Sequence, residues 1–307
     1  MGEVSDETHL ARELEKYGNI VRCIPRDAWR EYVIEDFPTG KYDVPEDLKA
    51  DINIICKWHH FYDETFVNAL RKKSGHSPVL YWVWDYMYNQ GFPSWHLAMA
   101  KGANLYLSNE GGLFEEYRKY GVNPYYFPMD VCDGDLSISK NEEKIYKVVF
   151  TGSYLKQGDR IEYLKEINKE IPVKIFAWNH EEWVREGFDA SPAIYGAEFN
   201  KLIAQSKVVL GFSVEPHCWG YWSNRVGKVI KAGGTLLYQY APGMERLHIQ
   251  TFTTPKEAIK DIKVLLVNPT EYTNTEPYSF TSKFRMAELE VILEGYLQEG
   301  LKWNKLP

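Results

Sequence analysis

At 307 residues the chain is too long for one ordinary core and suits two domains of about 150 residues each. Hydrophobic residues make up 44% and charged residues 26%, the balance of an ordinary globular protein. Forty-three acidic against 36 basic residues give a net charge of −7, which argues against general coating of polyanions and leaves room for a local basic pocket.

Cys23, Cys56, Cys132 and Cys218 lie far apart with no Cys-x-x-Cys pair, so neither a disulfide framework nor a zinc site is indicated, and a cytoplasmic setting is expected. The polar start MGEVSDETHL lacks the apolar core of a signal peptide. No run approaches the ~18 apolar residues of a membrane span. Gly2 alone does not complete a myristoylation pattern. The 22 tyrosines and 10 tryptophans put the aromatic content on the high side, and such side chains often line sites for sugars and bases, although most of them are expected in the core.

Short apolar runs alternate with helical patterns, the signature of βαβ units and parallel sheets. In chain order the first half offers strands at 20–24 (IVRCI), 52–58 (INIICKW), 79–84 (VLYWVW), 104–108 (NLYLS) and 125–129 (YYFPM). Helices fit at SDETHLARELEKYG, DETFVNALRKKSG, PSWHLAMAKG and GLFEEYRKYG, which end in a glycine after basic residues as helix C-termini do. The polar stretch DGDLSISKNEEK then reads as a linker.

A second series follows: strands at 146–153 (YKVVFTGS), 173–178 (VKIFAW), 208–213 (VVLGFS) and 235–240 (TLLYQY), with helices RIEYLKEINKE, AEFNKLIAQSK and one opening near Ser223. From Ser282 the segment FRMAELEVILEGYLQEG has a helical pattern. The expected fold class is α/β, with two doubly wound Rossmann-like domains facing across a cleft: 1–140, 141–280, and a helix at 281–307 packing back on the first domain.

The stretch WSNRVGKVIKAGGTLLYQYAPG carries the clearest chemical signal. Ser223 reads as an N-cap and Val226, Val229 and Ile230 as the buried stripe of a helix. Arg225, Lys228 and Lys231 follow at three-residue spacing, cations at a helix start where they oppose the dipole unless an anion binds. A solvated cationic face is the ordinary alternative. Glu215 to Trp222, a loop containing glycine and aromatic residues, lies between a strand end and that helix, at the edge where such sheets bind ligands.

The segment GFSVEPHCWGYWSNRVGKVIKAGGTLLYQYAPGMER resembles the C-terminal half of GT-B glycosyltransferases of the group-1 type, with their S-x-R-x-x-E pattern near a Gly-Gly pair and an apolar strand. VLYWVWD, NLYLSN, PYYFPMDV, VVFTGSYLKQGDR and IYGAEFNKLIAQSKVVLGFS fall in the family's order, so the resemblance spans roughly residues 50–245. The glutamate of the pattern, which in the family binds donor ribose hydroxyls, is replaced by Lys228, which donates but cannot accept. The family's first strand and glycine loop are not represented before the first helix; the expectation is either a truncated start or a sheet closed around that gap, with IVRCI and VLYWVW paired directly.

The resemblance implies a nucleotide-sugar donor as co-substrate, with no metal and no other cofactor. Arg225, Lys228 and Ser223 are the expected donor-phosphate residues, with Lys156, Arg160 and Gly220 on the same side. Trp178, Asn179 and Tyr195 fall where the family holds the nucleotide base. Asp85, ending an apolar strand, is the expected partly desolvated general base, and His59 and His60 are further candidates as base or acceptor contact. Each has a plain structural alternative: a cap or ion-pair partner for Asp85, core for Trp178, surface for the histidines and lysine.

Asp133-Gly134-Asp135 looks like a metal-binding carboxylate pair but falls in the linker and reads as a turn. No GxSxG, GxxxxGK[ST] or HExxH motif is present, so hydrolase, NTPase and zincin readings lose their usual support. The expectation is a metal-independent glycosyltransferase, retaining by family analogy, acting on an acceptor glycan, protein or modified nucleobase. A noncatalytic binder on the same fold, or a nucleotide-sugar epimerase or hydrolase, are the alternatives.

Overall fold

The apolar runs of the first half form β1 (Asn53–Cys56), β2 (Val79–Val83), β3 (Leu105–Ser108) and β4 (Pro124–Tyr126), paired in parallel in the order β1-β2-β3-β4. The computed structural model describes residues 14–16, 50–56, 63–88, 90–128, 142–156, 158–269 and 282–298. Val-Leu-Tyr-Trp-Val of β2 is buried at every position, as an uninterrupted apolar run requires of a central parallel strand.

On one sheet face Val79, Tyr81 and Val83 pack with Phe66, Val67 and Leu70 of helix α1 (Glu64–Lys73) and with Met99 and Ala100 of α2 (Ser94–Gly102). Helix α1 starts where Asp63 Oδ1 accepts from the backbone N–H of Thr65 and Phe66, a cap that contributes about 1 kcal/mol. A short helix α3 (Phe114–Lys119) leads into β4.

The expected strand at 20–24 lies outside the described residues, apart from which residues 14–16 of the first expected helix are helical. Direct pairing of IVRCI with VLYWVW does not fit, because β1 and β3 already occupy both edges of β2. The expected linker turn at Asp133-Gly134-Asp135 also lies outside the described residues.

The second half forms β5 (Tyr146–Thr151), α4 (Arg160–Glu170), β6 (Lys174–Ala177), α5 (His180–Arg185), β7 (Asp189–Pro192), α6 (Gly196–Ala204), β8 (Ser206–Gly211), α7 (Arg225–Lys231), β9 (Leu236–Gln239), β10 (Gln250–Phe252) and α8 (Pro255–Val267). The six strands are all parallel, in the order β10-β9-β8-β5-β6-β7. From β5 the chain proceeds outward to β6 and β7, then returns to the other side of β5 with β8 and continues to β10. That is the doubly wound Rossmann order, with its topological switch between β5 and β8.

Helices cover both faces: Ile161, Leu164 and Ile167 of α4 and Ala258, Ile262 and Leu265 of α8 share one cluster, while Leu202 of α6 packs with Val149 and Phe176 on the other side. A final helix α9 spans Ser282–Gln298. By contacts the chain divides into two units, one of them Leu14–Pro128 with Met286–Pro307 and the other containing Met129–Arg285.

Candidate functional site

The switch point of the six-stranded sheet opens into a pocket lined by Phe150, Thr151 and Gly152 at the end of β5, by Gly211 and Phe212 at the end of β8, and by Arg160, Ser223, Arg225 and Tyr238. Glycine is required at the end of β8: a Cβ on Gly211 would come within 2.0 Å of the Tyr238 ring. Tyr238 is itself buried and accepts from the Ser223 N–H through its hydroxyl at 3.3 Å, so the floor ties β9 to the loop before α7.

Arg160, the first residue of α4, is 94% buried against this floor, being 6% exposed. Its Nη1 donates to Ser153 O at 3.2 Å and its Nη2 to Phe212 O at 3.4 Å, and the guanidinium lies 5.6 Å from the centre of the Phe150 ring. Nε is buried and has no hydrogen-bond partner among the described residues, and no carboxylate among them pairs with the group. Burial pushes its pKa down to about 10, the Tyr238 and Tyr221 phenols favour the charge, and nearby Arg225 disfavours it. The guanidinium therefore stays charged at neutral pH, in a low-dielectric site with a second cation as neighbour. Such an arrangement calls for an anion.

Arg225 opens α7 and is exposed, and Lys228 is half-buried one turn on. The cap residue is Asn224, whose φ of −55° and ψ of −17° are already helical, so the turn begins one residue later than the cap expected at Ser223. Ser223 Oγ instead accepts from the Arg225 backbone N–H and lies 3.3 Å from Arg225 Nη1. With seven residues, α7 has little dipole to offer, and attraction for an anion rests on the arginines. The Lys231 side chain lies outside the described residues.

Gly220 shapes the loop above: φ is +77°, and its N–H donates to Pro242 O at 2.9 Å. Lys156 is exposed and helps hold the Glu186 carboxyl below its usual range, although the hydrogen bonds from Lys165 and Tyr154 are larger causes. Trp178 is 70% exposed rather than core, with Nε1 donating to Ser153 Oγ at 2.8 Å. Asn179 clamps Tyr154, accepting from its N–H at 2.9 Å and donating to its carbonyl at 3.0 Å. Tyr195 precedes α6 and is half exposed. Sequence reasoning missed Ser153, Gly211 and Tyr238. Thr-Gly-Ser directly after an apolar strand was a signal for the first, but nothing local marks the other two.

In the other unit Asp85 is exposed two residues beyond the end of β2, contrary to the expected desolvation: Trp84 takes the buried position and the chain bends out at Asp85. His59 and His60 lie outside the described residues. The buried polar groups here are different ones. His96 on α2 is fully buried, with Nδ1 3.2 Å from the Tyr81 hydroxyl and Nε2 2.9 Å from that of Tyr117, to which Tyr106 donates at 2.8 Å. Burial pushes the His96 pKa down to about 3, so the imidazole is neutral, and burial raises the three tyrosines. Glu110, beyond β3, accepts from Ser108 Oγ and the Leu113 N–H, which accounts for it as a turn carboxylate. Among the described residues no three His, Cys, Asp or Glu side chains cluster as a metal site, and no helix is long and apolar enough to cross a membrane.

Residues 158–275 match the sequence model of a family described as glycosyl transferase-like. No curated protein matches the chain by sequence. Similar solved structures include AviGT4, a glycosyltransferase involved in avilamycin A biosynthesis, at 12% identity and a TM-score of 0.56 over 96% of this chain and 89% of that one. HepE of Anabaena, solved with UDP and glucose, is 14% identical with a TM-score of 0.53 over 76% and 78% of the two chains. OtsA, solved without ligand, is 10% identical with a TM-score of 0.55 over 94% and 85%.

Proposed function

We propose that this chain, which has the GT-B fold of group-1 glycosyltransferases and carries a glycosyl transferase-like sequence pattern over residues 158–275, transfers a sugar from a nucleotide-sugar donor to an acceptor hydroxyl. The observation that carries the reading is Arg160, a buried guanidinium with no carboxylate partner among the described residues, beside Arg225 at the switch point of the second sheet. Two cations there suit the diphosphate of the donor and the charge that grows on it as the bond to the sugar breaks. The acceptor oxygen bonds to the anomeric carbon, the bond from that carbon to the phosphate oxygen breaks, and the diphosphate leaves with the electron pair. For the acceptor's proton the proposed base is Asp85. The acceptor is a glycan, a protein or a modified DNA base, and the anomeric configuration is retained, which requires the acceptor oxygen to approach from the same face that the diphosphate leaves. The acidic balance of the chain favours the DNA base least.

The test is turnover. UDP-, GDP-, ADP-, CMP- and dTDP-sugars are offered with an acceptor panel, with and without chelator, and nucleotide release and glycosylated product are followed together. Transfer unaffected by chelator is expected, and Asp85→Asn lowers its rate about 100-fold with donor affinity unchanged. Nucleotide binding with no turnover on any acceptor would replace the transferase by a noncatalytic binder, the reading that Lys228 in place of the family's carboxylate favours.

A further inference from the structure

Tyr238, the third residue of β9, stands directly across from Gly211 of β8 in the parallel pairing of the two strands. Because Gly211 has no side chain, the Tyr238 ring lies against its backbone, filling the space a Cβ would need. The ring is 1% exposed, and its hydroxyl accepts from the Ser223 N–H at 3.3 Å. A phenol donates one hydrogen bond as well as accepting. Among the described residues nothing accepts the Tyr238 proton. Buried hydroxyls are ordinarily paired, so this one has a hydrogen bond left to make.

The residue lines the same pocket as Arg160, Ser223 and Arg225, and no carboxylate lines it with them. Burial holds the phenol above its ordinary pKa, against the Ser223 N–H and the charges of Arg160 and Arg225, which favour ionisation. The hydroxyl therefore keeps its proton at neutral pH and remains a donor. Arg160 Nε is in the same condition, a buried N–H with no partner among the described residues. One neutral and one charged side chain thus bring unspent hydrogens to one pocket. An anion rich in oxygen meets both, since its oxygens accept and ask for no acceptor in return. The packing on Gly211 and the bond from Ser223 fix the ring beforehand, so little freedom is lost when the hydroxyl donates.

We propose that Tyr238 is a further anion-binding residue of this pocket, its hydroxyl donating to a phosphate oxygen beside the two arginines. This rests on the reading of the Arg160 pocket as a diphosphate site, and the variants separate the two. Calorimetry with inorganic pyrophosphate is run on the wild-type chain, on Arg160→Met, on Tyr238→Phe and on a chain with 3-fluorotyrosine at position 238, in slightly acidic buffer that keeps the fluorinated phenol protonated. Tyr238→Phe keeps the ring on Gly211 and is expected to bind about 10- to 150-fold more weakly, the loss of a hydrogen bond to a charged group. That loss should be the same at low and high salt, because the donor is neutral. Fluorine makes the phenol a stronger donor and a weaker acceptor, so the fluorinated chain should bind pyrophosphate more tightly than wild type. Undiminished binding by Tyr238→Phe overturns this inference alone. So does a loss that flattens the salt dependence, or a fluorinated chain no tighter than wild type: the hydroxyl then serves only to hold Ser223, and through Ser223 Oγ the start of α7 at Arg225. Should Tyr238→Phe fail to fold, the fluorinated chain decides by sign. A wild-type chain that does not bind pyrophosphate, or an Arg160→Met chain that binds it equally well, overturns the diphosphate reading and the inference with it.

Discussion

Each unit buries polar groups near its sheet, and the two differ in how those groups are satisfied. In the first, His96 is kept neutral and both its ring nitrogens meet tyrosine hydroxyls, so the cluster is complete within the fold. In the second, Arg160 stays charged and, among the described residues, has no partner for Nε and has Arg225 rather than a carboxylate as its neighbour. Both are costly in a low dielectric, but only the second has a deficit that something from outside can make good. Burial of a polar residue is therefore a poor sign of function by itself; uncompensated charge at a switch point is a better one.

Replacing each group by an apolar residue of similar size breaks the comparison if both respond alike. Arg160→Met is expected to abolish most pyrophosphate binding, with a loss of at least about 100-fold by calorimetry, as befits a charge-assisted contact in a partly dry site. Without ligand its urea midpoint should hold or rise, because an unpaired buried charge has been removed at the expense of two long hydrogen bonds. A marked fall in the midpoint with pyrophosphate affinity intact would make Arg160 a structural residue.

His96→Leu is expected to move stability the other way, by about 1–3 kcal/mol, since the Tyr81 and Tyr117 hydroxyls lose a buried partner. It should also change the pH dependence. The folded-state pKa of about 3 lies below the unfolded value near 6.5, so the unfolded chain takes up the proton first. The contribution of the neutral imidazole is full above about pH 6.5 and is lost as pH falls towards 3, with a slope of about 1.4 kcal/mol per pH unit. Urea titrations of wild type and His96→Leu between pH 7 and 4 should converge by that slope and then cross, because only the wild type loses this contribution as pH falls. Parallel curves would mean that His96 protonates within the fold.

The sequence made the sheets legible because their strands are apolar runs: β2 and β5 are buried almost throughout, and nothing but a strand suits Val-Leu-Tyr-Trp-Val between two turn signals. It did not disclose β7, whose Asp-Ala-Ser-Pro is polar and lies at the sheet edge, or the three-residue β10, because short edge strands depend on their neighbours more than on their own composition. Helix α8 went unread, although Thr254 as cap and Pro255 in its first turn, followed by buried Ala258, Ile262 and Leu265, carry the signals of a helix start. At the site the residue types could be read and their environments could not. Arg160 was expected among the phosphate-side cations and Trp178 at the base, with a solvated helix start and core as the alternatives, but neither the burial of Arg160 nor the exposure of Trp178 could be read, and Asp85 was expected to be partly desolvated where it is exposed. Each environment is set by strands distant in sequence.

Lys228 gives the smallest effect, since it is half-buried and its charge is partly screened. Lys228→Glu places a carboxylate one helical turn after Arg225, where an i,i+3 ion pair can draw that guanidinium away from a bound phosphate. Loss of one cation and distraction of a second should weaken pyrophosphate about 5- to 10-fold, close to 1 kcal/mol, and flatten its dependence on salt. UDP should weaken by the same factor if Lys228 serves the phosphates. The resemblance to group-1 enzymes offers the opposite sign for UDP, because the restored carboxylate would accept from two ribose hydroxyls. Calorimetry with both probes on one variant decides it: parallel weakening assigns Lys228 to the anion, while tighter UDP alongside weaker pyrophosphate would mean that the pocket holds its phosphate through the arginines and has lost a ribose contact at position 228.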